Sequence, residues 1–190
     1  MRIYHSSFII YHLSFSRSER GEVCYFCAAM IIRKAVEADA EAIVEIYNYY
    51  VEETVVSFET EAVSVEQMRG RIVEIEGECP FLVGEEEGRI VGFAYAHRWK
   101  ARAAYRCTAE STVYVDRRKT GRGLGRQLME RLMEECRSAG LHTLIACITY
   151  PNEPSERLHE RLGFERVSFF REVGAKMGRW LSVVDYQVVL

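Results

Sequence analysis

The chain has almost no charge bias. Its 25 lysines and arginines stand against 28 aspartates and glutamates, a formal net charge of −3 over 190 residues. No field of one sign covers the molecule, which argues against a nucleic acid or a membrane surface as partner. Long apolar runs are also missing. The N-terminal stretch FIIYHLSF contains a histidine, is followed by SRSERGE, and is too short to span a bilayer. No signal-peptide cleavage pattern accompanies it. The six cysteines, Cys24, Cys27, Cys79, Cys107, Cys136 and Cys147, are irregularly spaced, and Cys24-Tyr-Phe-Cys27 has neither a second pair nor a histidine cluster. A zinc site is therefore not expected, nor any other metal. Cys136 and Cys147 lie in apolar settings and read as small core residues. The whole reads as a cytoplasmic protein with reduced thiols. Repeats and low-complexity segments are absent.

What is present suffices for one domain with a real core, since 48% of residues are hydrophobic and 28% charged. Residues 1–29 do not match the rest. Met30 opens MIIRKAVEADAEAI, a strand followed by a helix, so the expected division is an N-terminal extension over 1–29 and a domain over 30–190. Periodicity predicts strand 31–35, helix 38–52 with Ile43, Ile46, Tyr47, Tyr50 and Val51 on one face, and helix 64–76 capped by Ser64. A hairpin over 81–86 and 89–97 turns at Glu87-Gly88, and a basic linker over 99–106 leads to strand 108–115. Helix 121–139 follows, with Leu124, Leu128, Met129, Leu132, Met133 and Cys136 inward and Gly140 as its stop. Strand 142–150, helix 154–162 and closing strands over 165–172 and 182–189 complete an α/β (α+β) pattern: a mixed sheet with helices on its faces.

The junction VYVDRRKTGRGLGR, residues 113–126, is the most informative segment. A β-branched run stops at a charged turn, glycines alternate at 121, 123 and 125, and an amphipathic helix begins. Such a junction suits a diphosphate. Glycines let the backbone approach phosphate oxygens, and the first helical N–H groups are unpaired and point at them. Arg117, Arg118, Lys119, Arg122 and Arg126 make a local basic patch on an otherwise acidic chain, which fits a small polyanion. A dinucleotide fingerprint would need glycine where Arg126 stands, and the Gly-Lys-Ser/Thr of a P-loop is missing.

Arg118, Gly121 and Gly123 fit [QR]-x-x-G-x-[GA], and with the element order the chain resembles the GNAT superfamily of N-acetyltransferases over residues 30–190. Within it, WKARAAY at 99–105, ESTVYV at 110–115, GRGLG at 121–125, YPNEPSERLHERLGF at 150–164 and GAKMGRW at 174–180 look most like the phosphinothricin and methionine-sulfoximine acetyltransferases. The resemblance implies the GNAT fold with a central, mostly antiparallel mixed sheet. It also implies acetyl-CoA as donor, a primary amine as acceptor and a homodimer. Val113, Tyr114 and Val115 would run beside the pantetheine. Arg118, Gly121, Arg122, Gly123, Leu124, Gly125 and Arg126 would take the diphosphate, and Asn152 would contact the CoA arm or serve as a helix-entry turn residue.

Acetyl transfer to an amine needs a base for the ammonium, donors for the oxyanion and an acid for the thiolate. Glu110 is the only carboxylate in its strand, and alternation sets it on one face with Thr112 and Tyr114. Facing a partly desolvated cleft, it would be a good base, acting through water. By resemblance His159 is the acid. Lys100 and Arg102, two apart beyond a strand, suit an acceptor with a carboxylate and a second anionic or strongly polar group, with Tyr105, Phe58 and Tyr95 beside them. The apolar C-terminal residues Tyr186, Val188, Val189 and Leu190 are consistent with burial in a dimer interface. Met177 and the Thr149-Tyr150 pair depart from the family pattern and leave the acceptor open. The alternatives are the same chemistry on another amine (a polyamine, an antibiotic or a protein N-terminus) or a non-catalytic acyl-CoA sensor.

Overall fold

The structure, a computed structural model, describes residues 30–190; the expected N-terminal extension, with Cys24 and Cys27, lies outside the described residues. Eight strands form one sheet: β1 (Ile31–Lys34), β2 (Phe81–Glu86), β3 (Arg89–Arg98), β4 (Thr108–Val115), β5 (Thr143–Tyr150), β6 (Glu165–Arg166), β7 (Phe170–Lys176) and β8 (Arg179–Val189). Their order is β1-β2-β3-β4-β5-β8-β6, with β7 also paired to β8. Only β4 and β5 run parallel, so the sheet is mixed and mostly antiparallel, as expected.

Four helices cover the two faces. On one lie α1 (Ala40–Glu53) and α2 (Val65–Glu76), which bury Ile43, Tyr47, Val51 and Ile72 against Phe81, Val83 and Phe93. The i, i+4, i+8 spacing of Ile43, Tyr47 and Val51 is the apolar stripe of a helix on a sheet. Ser64 starts α2 through a reciprocal cap: its Oγ accepts from Gln67 N at 3.1 Å, and its own N–H donates to Gln67 Oε1 at 2.8 Å. On the other face α3 (Leu124–Ser138) and α4 (Glu153–Arg161) enclose a second core. All six residues expected on the inner side of α3 are buried. Truncating one of them, such as Leu128→Ala, removes packing worth about 2–5 kcal/mol.

The ladder between β4 and β5 positions the site. It holds for three rungs, Thr108 to Thr143, Ala109 to Leu144 and Glu110 to Ile145, and then stops. Beyond it β4 stays with β3 up to Val115, while β5 stays with β8 up to Tyr150. The two strands therefore splay in the middle of the sheet, and a cleft opens where a ladder would continue.

Four expectations need correction. Helix α3 begins at Leu124 rather than 121, because Gly121 and Gly123 have φ of 77° and 81° and cannot lie in a right-handed helix. The expected strand 165–172 is two strands, and β7 turns into β8 at Met177-Gly178, both with positive φ, as a two-residue primed turn demands. Tyr186, Val188 and Leu190 pack into the α3-side core of their own chain, and only Val189 is largely exposed. Cys147 is exposed rather than in the core, since the splay uncovers its side of β5.

Candidate active site

The cleft between the splayed strands has a volume of about 510 Å³. Its walls are Glu110–Tyr114 of β4 and Ala146–Thr149 of β5, with Tyr95 and His97 of β3 on one side and Val56–Glu59 of the α1–α2 connection above. Asn152, Ser155 and His159 bring α4 to it. The fold thus gathers Glu110, Val113, Tyr114, Asn152, His159, Phe58 and Tyr95 around one cleft.

Glu110 stands on the last paired rung before the split. Its neighbour across the β3–β4 ladder is His97, whose Nε2 lies 3.9 Å from Glu110 Oε1. Cys147 faces the same space. Enclosure by the cleft walls, with the carboxylates of Glu110 and Asp185, pushes its thiol upward, so it holds little thiolate and is a poor nucleophile.

His159 is buried, and its ring meets Phe164 edge-on with centroids 5.0 Å apart. Its Nδ1 lies 2.8 Å from the Ser155 carbonyl, which can only accept, so Nδ1 carries the hydrogen and Nε2 a lone pair. Burial lowers the pKa of this imidazole, opposed by the bond to Ser155. The ring is therefore neutral at rest and must take a proton before it can give one. Asn152 caps α4, its Oδ1 accepting from Ser155 N at 3.4 Å, so the helix-entry role is filled while the residue also borders the cleft.

The glycine loop works differently from its composition. Each cationic side chain expected at a diphosphate is already engaged by a carboxylate. Arg118 forks onto Asp116 at 2.7–3.2 Å. Arg126 meets Glu130 at 2.8 Å. Arg122 and Lys119 converge on Glu86, at 2.9 and 3.0 Å for the two guanidinium nitrogens and 3.2 Å for the lysine. Glu86 is only 6% exposed; burial works against its charge, but Arg122 and Lys119 prevail and hold its carboxyl below the usual range. What the loop offers freely is backbone. Gly123 in the left-handed region caps α3, and the first bond of the helix runs from Gln127 N to Gly123 O at 3.1 Å. The N–H groups of Leu124, Gly125 and Arg126 therefore precede the helical ladder. The Leu124 side chain is buried, so only its backbone can serve a ligand. Val115, where β4 ends, gives its carbonyl to Tyr50 Oη at 2.6 Å. A free strand edge leading to an amide-lined helix N-terminus fits an extended pantetheine arm ending in a diphosphate.

The acceptor residues divide. Phe58 and Tyr95 line the cleft; Lys100, Arg102 and Tyr105 do not. Lys100 Nζ sits 3.8 Å above the Trp99 ring, Arg102 is exposed, and Tyr105 packs edge-on against Trp99. Sequence reasoning placed these cations at the acceptor because the segment follows β3, but β3 ends at Arg98 and Lys100 and Tyr105 fold onto Trp99 instead of the cleft. It missed the network that fixes the α1–α2 connection. Lys176 Nζ donates to the Ser57 carbonyl at 2.6 Å, and Tyr47 Oη lies 3.0 Å from Ser57 Oγ. Arg71 forks onto Glu59, and Thr149 Oγ1 donates to the Val56 carbonyl at 3.2 Å. Gly174 of β7 lies under the Phe58 ring, which a Cβ at 174 would overlap. No local signal marks these residues, which lie up to 119 positions apart.

A family model described as an acetyltransferase (GNAT) domain matches residues 32–184. The chain belongs to the GNAT acetyltransferase family. It is 40% identical over 156 residues to a phosphinothricin N-acetyltransferase of Streptomyces viridochromogenes, covering 82% of this chain and 85% of that one. It is 38% identical over 165 residues to an L-methionine sulfoximine/L-methionine sulfone acetyltransferase of Salmonella typhimurium, covering 85% and 95%. A solved structure of a putative acetyltransferase from Salmonella typhimurium with its cofactor acetyl-CoA superposes with a TM-score of 0.83 at 37% identity, covering 86% and 95%. As a GNAT enzyme the protein is an acetyl-CoA-dependent N-acetyltransferase, and the splayed strands and glycine loop provide room and donors for that cosubstrate. Among the described residues, no helix is long and apolar enough to cross a membrane.

Proposed function

We propose that the enzyme acetylates the primary amine of a small amino acid with a tetrahedral polar side chain, of the phosphinothricin, methionine sulfoximine or methionine sulfone type. The relatives' named substrates support this acceptor class. The observation that carries the mechanism is the place of Glu110, on the rung where β4 and β5 part and open to the cleft.

Glu110 takes a proton from the acceptor's ammonium, directly or through water. The free amine attacks the thioester carbon in a ternary complex. Backbone N–H groups of the freed β4 edge, over Val113–Val115, meet the oxyanion. The attacking nitrogen then sheds its second proton to Nε2 of His159, which passes it to the departing thiolate. That order follows from the neutral resting ring. Loop amides from Gly121 to Arg126 hold the diphosphate, and Arg118, Arg122 and Arg126 shape that loop through their carboxylate partners. Phe58 and Tyr95 wall the acceptor pocket. Two copies pair, and the exposed Phe169, Phe170, Val173 and Trp180 around the β7–β8 hairpin supply apolar surface for it. The enzyme works in the cytoplasm, where acetyl-CoA and reduced thiols coexist.

The test is CoA release with phosphinothricin, methionine sulfoximine, methionine sulfone, spermidine and a serine-starting peptide. The proposal expects turnover of the first three. Turnover of spermidine or peptide alone would overturn the acceptor class and leave the acetyl transfer.

A further inference from the structure

We propose that His97 is a proton-relay residue that empties Glu110 after each turnover. The idea rests on the reading of Glu110 as the base. Acetylation of an alkylammonium by a thioester gives an amide, a thiol and one net proton. With one proton passed to the sulfur, the other stays on Glu110 until something removes it. The Glu110 side chain is 26% exposed in the open cleft; an acceptor bound over it covers that face, and a base beside it then offers the proton a way out.

His97 provides the route. It is the cross-strand partner of Glu110, with Nε2 3.9 Å from Oε1. On the other side of the ring Nδ1 lies 3.2 Å from the Arg98 carbonyl. A carbonyl cannot donate, so Nδ1 carries a hydrogen, and in the neutral ring Nε2 turns a lone pair toward Glu110. While Glu110 is ionised, lone pair and carboxylate have no hydrogen to share, which suits a spacing beyond hydrogen-bond reach. Once Glu110 holds the acceptor's proton, its O–H has an acceptor nearby, directly after a small side-chain shift or across one water. The side chain of His97 is 37% exposed against 26% for Glu110, so the imidazolium lies on the solvent side of the pair and can return the proton to bulk water.

The surrounding groups leave this path open. Tyr95 of β3 presents its ring, with centroids 5.9 Å apart. Cys147 of β5 keeps its own proton, with Asp185 of β8 beside it. Arg98 is occupied with Glu78 at 3.5 Å. His97 is therefore the proton acceptor the fold sets against Glu110.

The experiment compares wild type, His97→Ala, His97→Gln and Glu110→Gln over about pH 5.5–8.5, with and without added imidazole, on the acceptor that wild type turns over. The expected result is a kcat lowered about tenfold in both His97 variants, unchanged KM for acetyl-CoA, and saturable rescue of His97→Ala by imidazole that grows with pH. Glu110→Gln is inactive and not rescued. Wild-type kcat in His97→Ala across the range would overturn the relay. So would full activity in His97→Gln, which keeps bulk and polarity without a basic nitrogen. In both cases an inactive Glu110→Gln leaves the base reading standing. An active Glu110→Gln would overturn the base reading and the relay with it.

Discussion

The two halves of the cleft are built in opposite ways. On the proposed reading the acetyl-CoA half comes from one stretch of chain: β4, the turn at Asp116, the glycines at 121 and 123 and the first turn of α3 follow one another between Thr108 and Gln127. The acceptor half is assembled from afar. Phe58 comes from the α1–α2 connection, Tyr95 from β3, and the residues that seat them, Lys176 and Gly174, from the β7–β8 hairpin. On that reading, the donor is held by backbone geometry that few side chains can spoil, and acceptor choice rests on side-chain contacts between distant elements, which can change without disturbing the donor.

Breaking the seam between the halves has the largest effect. Glu110→Gln keeps the shape and removes the proposed base, so kcat should fall about 100- to 1,000-fold, read from initial rates with both substrates saturating. Next comes the donor half. Gly123→Val forces a β-branched residue into a left-handed cap and should raise the acetyl-CoA KM about tenfold, with the acceptor KM unmoved. Glu86→Ala releases Arg122 and Lys119 from the loop's anchor. The expected result is an acetyl-CoA KM raised about fivefold at unchanged kcat; a lower KM would mean that the cations, not the amides, do the binding. On the acceptor side, Gly174→Ala displaces the Phe58 ring and should raise the acceptor KM about threefold while leaving acetyl-CoA alone.

The smallest effect is on stability. Burial holds His159 below the ordinary histidine range, so the unfolded chain binds a proton that the folded ring refuses. This contribution to folded-state stability should accordingly be fully present above about pH 6.5 and be lost as the pH falls below it. Thermal melts of His159→Asn, which retains a donor for the Ser155 carbonyl, should show a flatter dependence over that window.

Much of this was legible in the sequence where the signal is short-range. Ser64 with Gln67, the six-residue inner face of α3 and the Glu87-Gly88 hairpin are decided within a few residues, and the structure agrees. Strand 108–115 was legible with its bounds intact, which put Glu110 in β4. The Met177-Gly178 turn lies within the connection expected between 172 and 182, but the strands run further into it than expected, because methionine rarely takes positive φ and gives no local sign of a two-residue turn. Cys147 was misplaced because an apolar strand reads as buried on both sides, and nothing local reports that β5 loses a neighbour halfway. Lys100 and Arg102 were drawn to the acceptor by charge alone, while Glu86 and His97 were overlooked because their partners lie across a hairpin register or 36 residues away.

The most direct test of the two-part cleft is calorimetric titration of acetyl-CoA into wild type and into Glu110→Gln, alongside turnover of methionine sulfoximine. The account predicts an acetyl-CoA dissociation constant within about twofold of wild type in a variant that has lost turnover. Retained turnover, or acetyl-CoA affinity lost together with it, would contradict the separation of the two halves and the place of Glu110 between them.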